Sequence, residues 1–170
     1  TFELIDLPGT YSLTANSDEE RITRDFIIKS RPDVVVAVVD AAVLERSLYL
    51  LAELLLLPAP VVLALNMIDV AEKEGIRIEA DVLSTALGLP VVPMSATHGL
   101  GVRELVETVE ALLNGKLPYQ PRRPTILPDH ETVMREILEL TADYIPKPYP
   151  AQWIALKLLE GDEEVRRMME

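Results

Sequence analysis

The chain has 170 residues, of which 49% are hydrophobic, and a formal net charge of −12. That length suits one domain of ordinary size, or one domain and a small annex, and the apolar content excludes disorder over most of it. The acidity argues against nucleic acid as the main partner, because phosphate backbones are held by basic faces; it leaves room for a nucleotide gripped by a few local groups. There is no cysteine, which excludes a disulfide framework and a thiolate metal site.

Residues 2–6 predict a short strand ending at Asp6, followed by a loop through Leu7, Pro8, Gly9 and Thr10. Ser17 with Glu20 three residues on is a capping-box pattern, so a helix is expected from about Asp18 to Ser30. Val34–Val39 is a continuous apolar run, as in a strand buried on both faces of a parallel sheet. A leucine-rich helix over 44–57 and a second buried strand over 60–65, ending at Asn66, follow. The apolar stretch from Leu48 to Leu65 contains Glu53, Pro58 and Pro60, so it reads as helix, turn and strand and not as a membrane span. Residues 79–87 predict a helix stopped by Gly88, and residues 90–94 a third buried strand ending at Ser95. Val102, Leu105, Val106, Val109, Leu112 and Leu113 then form one apolar helical face.

Strands alternating with helices of this length define an α/β fold: a mainly parallel sheet, helices on both faces, right-handed crossovers. Prolines 118, 121, 124 and 128 mark an extended linker. Beyond it the pattern is purely helical, with Asp129 as the expected N-cap of one helix and Trp153, Ile154, Leu156, Leu158 and Leu159 on another. The expected organisation is therefore residues 1–115, a partial α/β domain; 116–128, a Pro-rich linker; and 129–170, a small helical segment. Residue 1 is Thr1, no signal peptide is visible, and 163–170 reads as helix without a stop, so both ends read as cut.

In an open parallel sheet, ligands bind beyond the carboxyl ends of the strands. Three polar clusters fall there. Asp6 and Gly9 form D-x-x-G; a carboxylate at a strand end can hold Mg²⁺ through water, and a glycine lets a backbone N–H approach a phosphate. Asn66 and Asp69 form N-x-x-D, around Met67 and Ile68; a carboxylate can accept two hydrogen bonds from guanine, which adenine cannot supply. Ser95, Ala96 and Thr97 could offer backbone N–H groups to a base oxygen. Each cluster alone has a plain structural reading, as a strand-to-turn junction, a pair of helix caps or a turn of small residues. Their order and their common place at strand ends favour a nucleotide site.

Together these motifs resemble the third, fourth and fifth signature motifs of the translation-factor-related class of GTPases. More narrowly, Asp6-Leu7-Pro8-Gly9-Thr10-Tyr11-Ser12-Leu13, followed by Asp18-Glu19-Glu20 and Arg24-Asp25, resembles the ferrous iron transport protein B family. Asn66 through Gly75, and Leu87-Gly88-Leu89-Pro90-Val91-Val92, are similar too. The resemblance covers about the first 115 residues closely and the helical segment more loosely. It implies a P-loop-GTPase-like fold whose first strand and phosphate-binding loop are missing, bound to GTP or GDP with Mg²⁺. Asp6 would orient the Mg²⁺ shell, the Gly9 N–H would sense the γ-phosphate, Asn66 and Asp69 would hold guanine, and the Ala96 N–H would face its oxygen. Residues 10–24 would be the second switch, a charged and mobile surface segment.

Two departures bear on activity. The Gly-rich G-x-x-x-x-G-K-S/T loop and the first-switch threonine are absent, which the resemblance places upstream of Thr1; this fragment alone is expected to bind GTP poorly and to hydrolyse little or none. Thr10 follows the D-x-x-G glycine where many small GTPases carry a water-orienting glutamine, so no catalytic residue is assigned. The implied partners are guanine nucleotide and a membrane permease domain of the same polypeptide, at the cytoplasmic face of the membrane, with a homo-oligomer left open. A ribosome-associated GTPase would need a basic RNA-binding region, against the acidic composition. A non-enzymatic α/β interaction module would need no Asp69. His98 and His130 lack companion ligands and read as surface or capping residues; Trp153 reads as core.

Overall fold

The computed structural model describes residues 2–14, 17–123 and 128–169. They divide into two compact units. One comprises Pro32–Leu55 and Ala59–Arg123; the other comprises the described parts of Thr1–Arg31, Leu56–Pro58 and Pro124–Glu170.

The first unit is an α/β layer structure. Strands β1 (Val35–Asp40), β2 (Val61–Asn66) and β3 (Val91–Pro93) form a three-stranded parallel sheet in the order β1-β2-β3, with Asp40 beside Asn66 and Leu65 beside Pro93. Helices α2 (Leu44–Leu54), α3 (Ile68–Lys73), α4 (Ala80–Leu87) and α5 (Val102–Leu113) connect and cover it: α5 packs on β2 and β3, α2 on β1, and α4 on β3. In β2 all five residues from Val61 to Leu65 are buried, as their unbroken apolar run predicts for a central parallel strand. Gly88 closes α4 with a φ of 69°, and a Cβ there would lie 2.0 Å from the Gln120 carbonyl oxygen. Only glycine fits that position. Residues 118–123 run without regular structure, but their start is fastened. The Gln120 and Arg122 N–H groups donate to Gly88 and Leu87 carbonyls at 3.0 and 2.8 Å, and the Tyr119 hydroxyl accepts from the Val61 N–H at 3.0 Å. Pro124 falls outside the described residues.

The structure departs from the sequence-based expectations in several places. No strand forms at 2–6; those residues carry no regular element, and Phe2, Leu4 and Ile5 are exposed. An apolar run becomes a strand only where a neighbour satisfies its backbone groups. β1 is buried on one face only: Ala37 and Val39 are covered while Val38, on the opposite face, is 63% exposed. The helix expected to reach Leu57 stops at Leu54, with Leu54, Leu55 and Leu57 buried in and beside the turn that leads to Pro58. Asp129 lies inside helix α6 (Pro128–Thr141), whose first residue is proline, a residue well suited to the first helical position.

The second unit gathers α1 (Asp18–Ser30), α6, α7 (Ala151–Leu159) and α8 (Glu163–Met168). Ser17 caps α1, its hydroxyl accepting from the Glu20 N–H at 3.2 Å. Asp162 caps α8 in the same way, with Oδ1 at 3.0 Å from the N–H groups of Glu164 and Val165. The core holds Leu13, Ile27, Ile28, Trp153, Ile154 and Val165. The expected mobile surface segment at 10–24 is therefore only partly so: Leu13, Thr23 and Arg24 are buried, while Ala15 and Asn16 lie outside the described residues.

Arg24 organises this core. Its side chain is 0% exposed, donates to both Glu164 oxygens at 3.2 Å and to Asp25 Oδ1 at 3.0 Å, and places Cζ 5.7 Å from the centroid of Trp153. Burial works against its charge, but the hydrogen bonds and charges of Glu164 and Asp25 outweigh it and hold the guanidinium above its ordinary pKa. Tyr149 stacks on Trp153 at 5.9 Å and donates to Asp25 Oδ1 at 3.2 Å. Lys157, also fully buried, donates to Thr14 Oγ1 at 2.9 Å and to Glu160 at 2.8 Å.

Removing one member of a buried ion pair strands the others. Arg24→Ala is expected to lower stability by about 2–4 kcal/mol, less than a wholly enclosed pair because Asp25 and Glu164 retain some water. Arg21→Ala, which breaks an exposed pair with Asp18, should change it by under about 0.5 kcal/mol. Denaturant unfolding followed by circular dichroism reads both. For Asp25, burial raises the carboxyl pKa, but hydrogen bonds from Lys29 and Arg24 overcome that and hold it below the ordinary range. Its stabilising effect is then fully present above the unfolded-state pKa of about 3.9 and is lost as pH falls through the folded value. Asp25→Asn should be less stable than the parent at pH 6, and the difference should shrink below about pH 4 in acid-unfolding curves.

Candidate functional site

The sheet brings two of the three motifs together. β2 ends in Asn66. Met67 follows in the left-handed region with φ of 59°, and its carbonyl accepts from the Val70 and Ala71 N–H groups, opening α3 one residue later. This sharp turn sets Asp69 in the first turn of a short helix that the sequence reading did not contain. On the neighbouring strand, β3 runs into Met94 and the loop from Ser95 to Leu100, pinched at its base by paired backbone hydrogen bonds between Ser95 and Leu100, both 3.1 Å. Two further bonds lace the motifs: the Met94 N–H donates to the Leu65 carbonyl at 2.9 Å, and the Ile68 N–H to the Met94 carbonyl at 3.2 Å.

The side chains complete the link. Asn66 Oδ1 accepts from the Ala96 N–H at 3.0 Å, so the amide group of N-x-x-D holds the backbone of S-A-T directly. The Ala96 N–H, expected to face a base oxygen, is thus already engaged; Asn66 Nδ2 is the donor that the arrangement leaves over on that side chain. The Ser95 hydroxyl acts first in holding the Asp69 carboxyl below the ordinary carboxylate range; partial burial opposes this, and the charges of His98 and Lys73 assist. Lys73 Nζ and His98 Nδ1 each lie 3.7 Å from Asp69 Oδ2. Ser95 itself is buried, and its Oγ is 2.8 Å from His98 Nδ1; Thr97 Oγ1 is 3.3 Å from the same nitrogen.

Two residues the motif reading passed over shape this loop. Gly101 has a φ of 77°, and a Cβ there would lie 2.4 Å from the Pro93 carbonyl oxygen and 2.7 Å from Met94 Cβ. The signal in the sequence was the Gly99-x-Gly101 spacing, one residue after S-A-T. His98, set aside as surface, is indeed 59% exposed but touches both Ser95 and Asp69. Asp40, beside Asn66 in the register, caps a 3-10 turn through the Ala42 N–H at 2.8 Å, a structural role.

Asp6, Leu7, Pro8 and Gly9 belong to the other unit. There the Pro8 carbonyl accepts from the Thr23 hydroxyl at 3.0 Å, the Thr10 hydroxyl bonds the Ser12 carbonyl, and Ser12 Oγ donates to Glu20 at 3.0 Å. Asp6 is exposed, and no atom lies within 4 Å of the position a Gly9 Cβ would take. Among the described residues no group of three His, Cys, Asp or Glu side chains could hold a metal. Asp6 fits Mg²⁺ only as one carboxylate acting through water, with the remaining ligands from phosphates and solvent.

Residues 1–109 match the family model of ferrous iron transport protein B, and residues 128–170 match that of the FeoB cytosolic helical domain. The chain belongs to the ferrous iron transport protein B family. It is 41% identical over 171 residues to the Fe(2+) transport protein A/Fe(2+) transporter FeoB fusion protein of Porphyromonas gingivalis, an alignment covering 98% of this chain and 20% of that protein. The chain thus spans about a fifth of the length of the curated family members it matches. The crystal structure of NFeoB from S. thermophilus bound to GDP.AlF4⁻ and K⁺ is similar, with a TM-score of 0.84 and 37% identity over 97% of this chain and 63% of that one. The cytosolic domain of the T. maritima FeoB iron transporter in a GDP form gives a TM-score of 0.86 and 35% identity over 96% of this chain and 64% of that one. These family members share the α/β fold and the helical segment that follows it.

Gly101→Ala should cost about 1–3 kcal/mol in strain and release the loop from β3. In a ¹⁵N-resolved NMR spectrum the Ala96 amide would lose its exchange protection and the Asn66 side-chain amide would shift. Gly99→Ala, where space is open despite a φ of 69°, should cost only the backbone term and leave the Ala96–Asn66 bond intact.

Proposed function

We propose that this chain is the guanine-nucleotide-binding and regulatory part of a ferrous iron membrane transporter. The division is a partial G domain at 1–115, a Pro-rich linker at 116–128 and a helical domain at 129–170. The observation that carries the reading is the hydrogen bond from the Ala96 N–H to Asn66 Oδ1, which joins N-x-x-D to S-A-T beside the Asp69 carboxylate. A carboxylate held ionised and partly uncovered at that junction matches the ring N–H and exocyclic amine of guanine, and Asn66 Nδ2 would serve the base as a donor. Ser95 and Thr97 frame the same loop; Met67 and Ile68 act through the backbone turn that sets Asp69.

The likeness to proteins solved with GDP and with GDP.AlF4⁻ supports this assignment. Asp6 and Gly9 are the residues assigned to the phosphate side: Asp6 toward a Mg²⁺-bound water, and the Gly9 N–H toward the γ-phosphate. Mg²⁺ supplies charge neutralisation on the phosphates when bound. The second switch, at 10–24, leads into α1, and α1 carries Arg24 into the buried cluster with Glu164 of α8. Nucleotide state would reach the helical domain, and a permease domain of the same polypeptide, along that route. The site of action would be the cytoplasmic face of a membrane; no helix among the described residues is long and apolar enough to cross one. Iron is the transported cargo in this reading, and the family description supports it.

The deciding test is base exchange. By NMR titration at millimolar nucleotide, which reads weak binding, the chain should bind GDP in preference to ADP. Asp69→Asn should weaken GDP binding by about 100-fold or more, the value of two charge-assisted hydrogen bonds, and should favour xanthosine diphosphate, whose second carbonyl accepts where guanine donates. Equal binding of GDP and ADP by the parent chain, or an Asp69→Asn variant with unaltered GDP binding, would overturn the proposal.

A further inference from the structure

The loop after β3 carries a titratable ring against the carboxylate of the proposed base site. His98 Nδ1 lies 3.7 Å from Asp69 Oδ2 and 2.8 Å from the buried Ser95 Oγ, with Thr97 Oγ1 at 3.3 Å. A neutral imidazole nitrogen can accept from a hydroxyl, whereas the protonated ring has only N–H donors. Charging the ring therefore turns a neutral contact into an ion pair, at an oxygen that guanine would use. Imidazole is the side chain whose charge ordinarily changes between about pH 5 and 8. Asp69, held below the ordinary carboxylate range, stays ionised throughout that interval. Lys73, also from α3, meets the same Oδ2 at 3.7 Å, but an ammonium keeps its charge there. Among the described residues His98 has no other ion-pair partner. The chain's second histidine is His130, on α6.

We infer that His98 makes base binding proton-sensitive: the charged imidazole pairs with Asp69 and competes with the guanine edge for its oxygens, and the neutral ring leaves the carboxylate free to accept from the base. The inference rests on the guanine-site reading above. Guanine presents two donors to Asp69, so an imidazolium N–H at Oδ2 competes with one of them and its positive charge opposes both. His98 is 59% exposed, and an ion pair this open to water moves an equilibrium by about 2- to 5-fold. GDP binding should weaken by that factor as pH falls. By reciprocity, bound GDP should make His98 harder to protonate by the same factor, a fall of about 0.3–0.7 pH unit in its titration midpoint.

NMR titration of the imidazole signals in the full chain reads the contact without nucleotide. His98→Gln assigns the His98 signal by its loss. Asp69→Asn, which removes the partner's charge, should lower the His98 midpoint by about 0.3–0.7 pH unit. GDP titrations of the parent and of His98→Gln at about pH 5.5 and 7.5 then read the competition. On acidification the parent should lose about 2- to 5-fold more affinity than the variant, whose neutral amide has no charge to gain. The terminal phosphate of GDP also titrates, at about pH 6, but equally for both proteins, so its effect cancels. His98 is exposed enough for glutamine to leave the fold intact. A His98 midpoint unmoved by Asp69→Asn, or an acid loss as large in His98→Gln as in the parent, would each overturn the inference while leaving the GDP-over-ADP preference standing. If the parent chain itself shows no GDP-over-ADP preference, the function reading fails first and this inference falls with it.

Discussion

The α/β unit depends on one strand. β2 is paired in parallel on both edges and covered on both faces, so every residue from Val61 to Leu65 is out of water. Burying five aliphatic side chains in sequence requires all their backbone groups to be satisfied in the sheet, and that requirement removes register freedom from β1 and β3. Asn66 therefore emerges at one defined height beside Asp40, and Met94 reaches back to the Leu65 carbonyl. The chemistry at the strand ends is precise because the strand that delivers it has nowhere else to go.

The helical unit is organised differently. Its centre contains two fully buried cations, Lys157 and Arg24, the latter against Trp153 of the aromatic pair Tyr149 and Trp153. Buried charge is a poor source of net stability, since desolvation offsets most of the attraction. It is a strong constraint on geometry, because the guanidinium is tolerated only where Asp25 and Glu164 meet it. A helix adjoining the proposed switch is thus tied to the last helix by groups that cannot slide past one another without losing several hydrogen bonds at once. An apolar interface of the same size would allow such sliding. This is a suitable contact for transmitting a change in the segment before α1.

Within the proposed site, very little of the specificity comes from contacts that burial alone would produce. Asp69 is only partly covered, and its pKa is held down by neighbours: Ser95 first, with the charges of His98 and Lys73 behind it. Asn66 uses its carbonyl to secure the loop and keeps its amide protons for another partner. A tight glycine turn at Gly101 presses the loop onto β3. Backbone strain at Met67 and Gly101, hydrogen-bond direction and a single well-placed carboxylate together make a donor-acceptor pattern, and a pattern is what discriminates one purine from another.

Much of this was already legible in the residues. The unbroken apolar run 61–65, the Gly88 stop after 80–87, the apolar face of 102–113 and the Ser17 cap each have a local cause, and each element stands where its cause places it. The three motifs at strand ends, with their flanking residues, identified the family because the family's chemistry resides in short contiguous segments. What needed tertiary structure was everything decided by a neighbour. Residues 2–6 have the composition of a strand but no pairing, and Val38 looks buried in sequence yet sits on an exposed face. Helix α3 follows from a left-handed residue, Met67, that no propensity anticipates. Arg24 reads as a surface charge until Glu164, 140 positions away, comes to meet it. The Ala96 N–H is claimed by Asn66 across 30 residues. Local propensity and periodicity act within a few residues of chain, whereas strand pairing, charge burial and hydrogen-bond partnership are settled between segments far apart in sequence, and only folding brings those together.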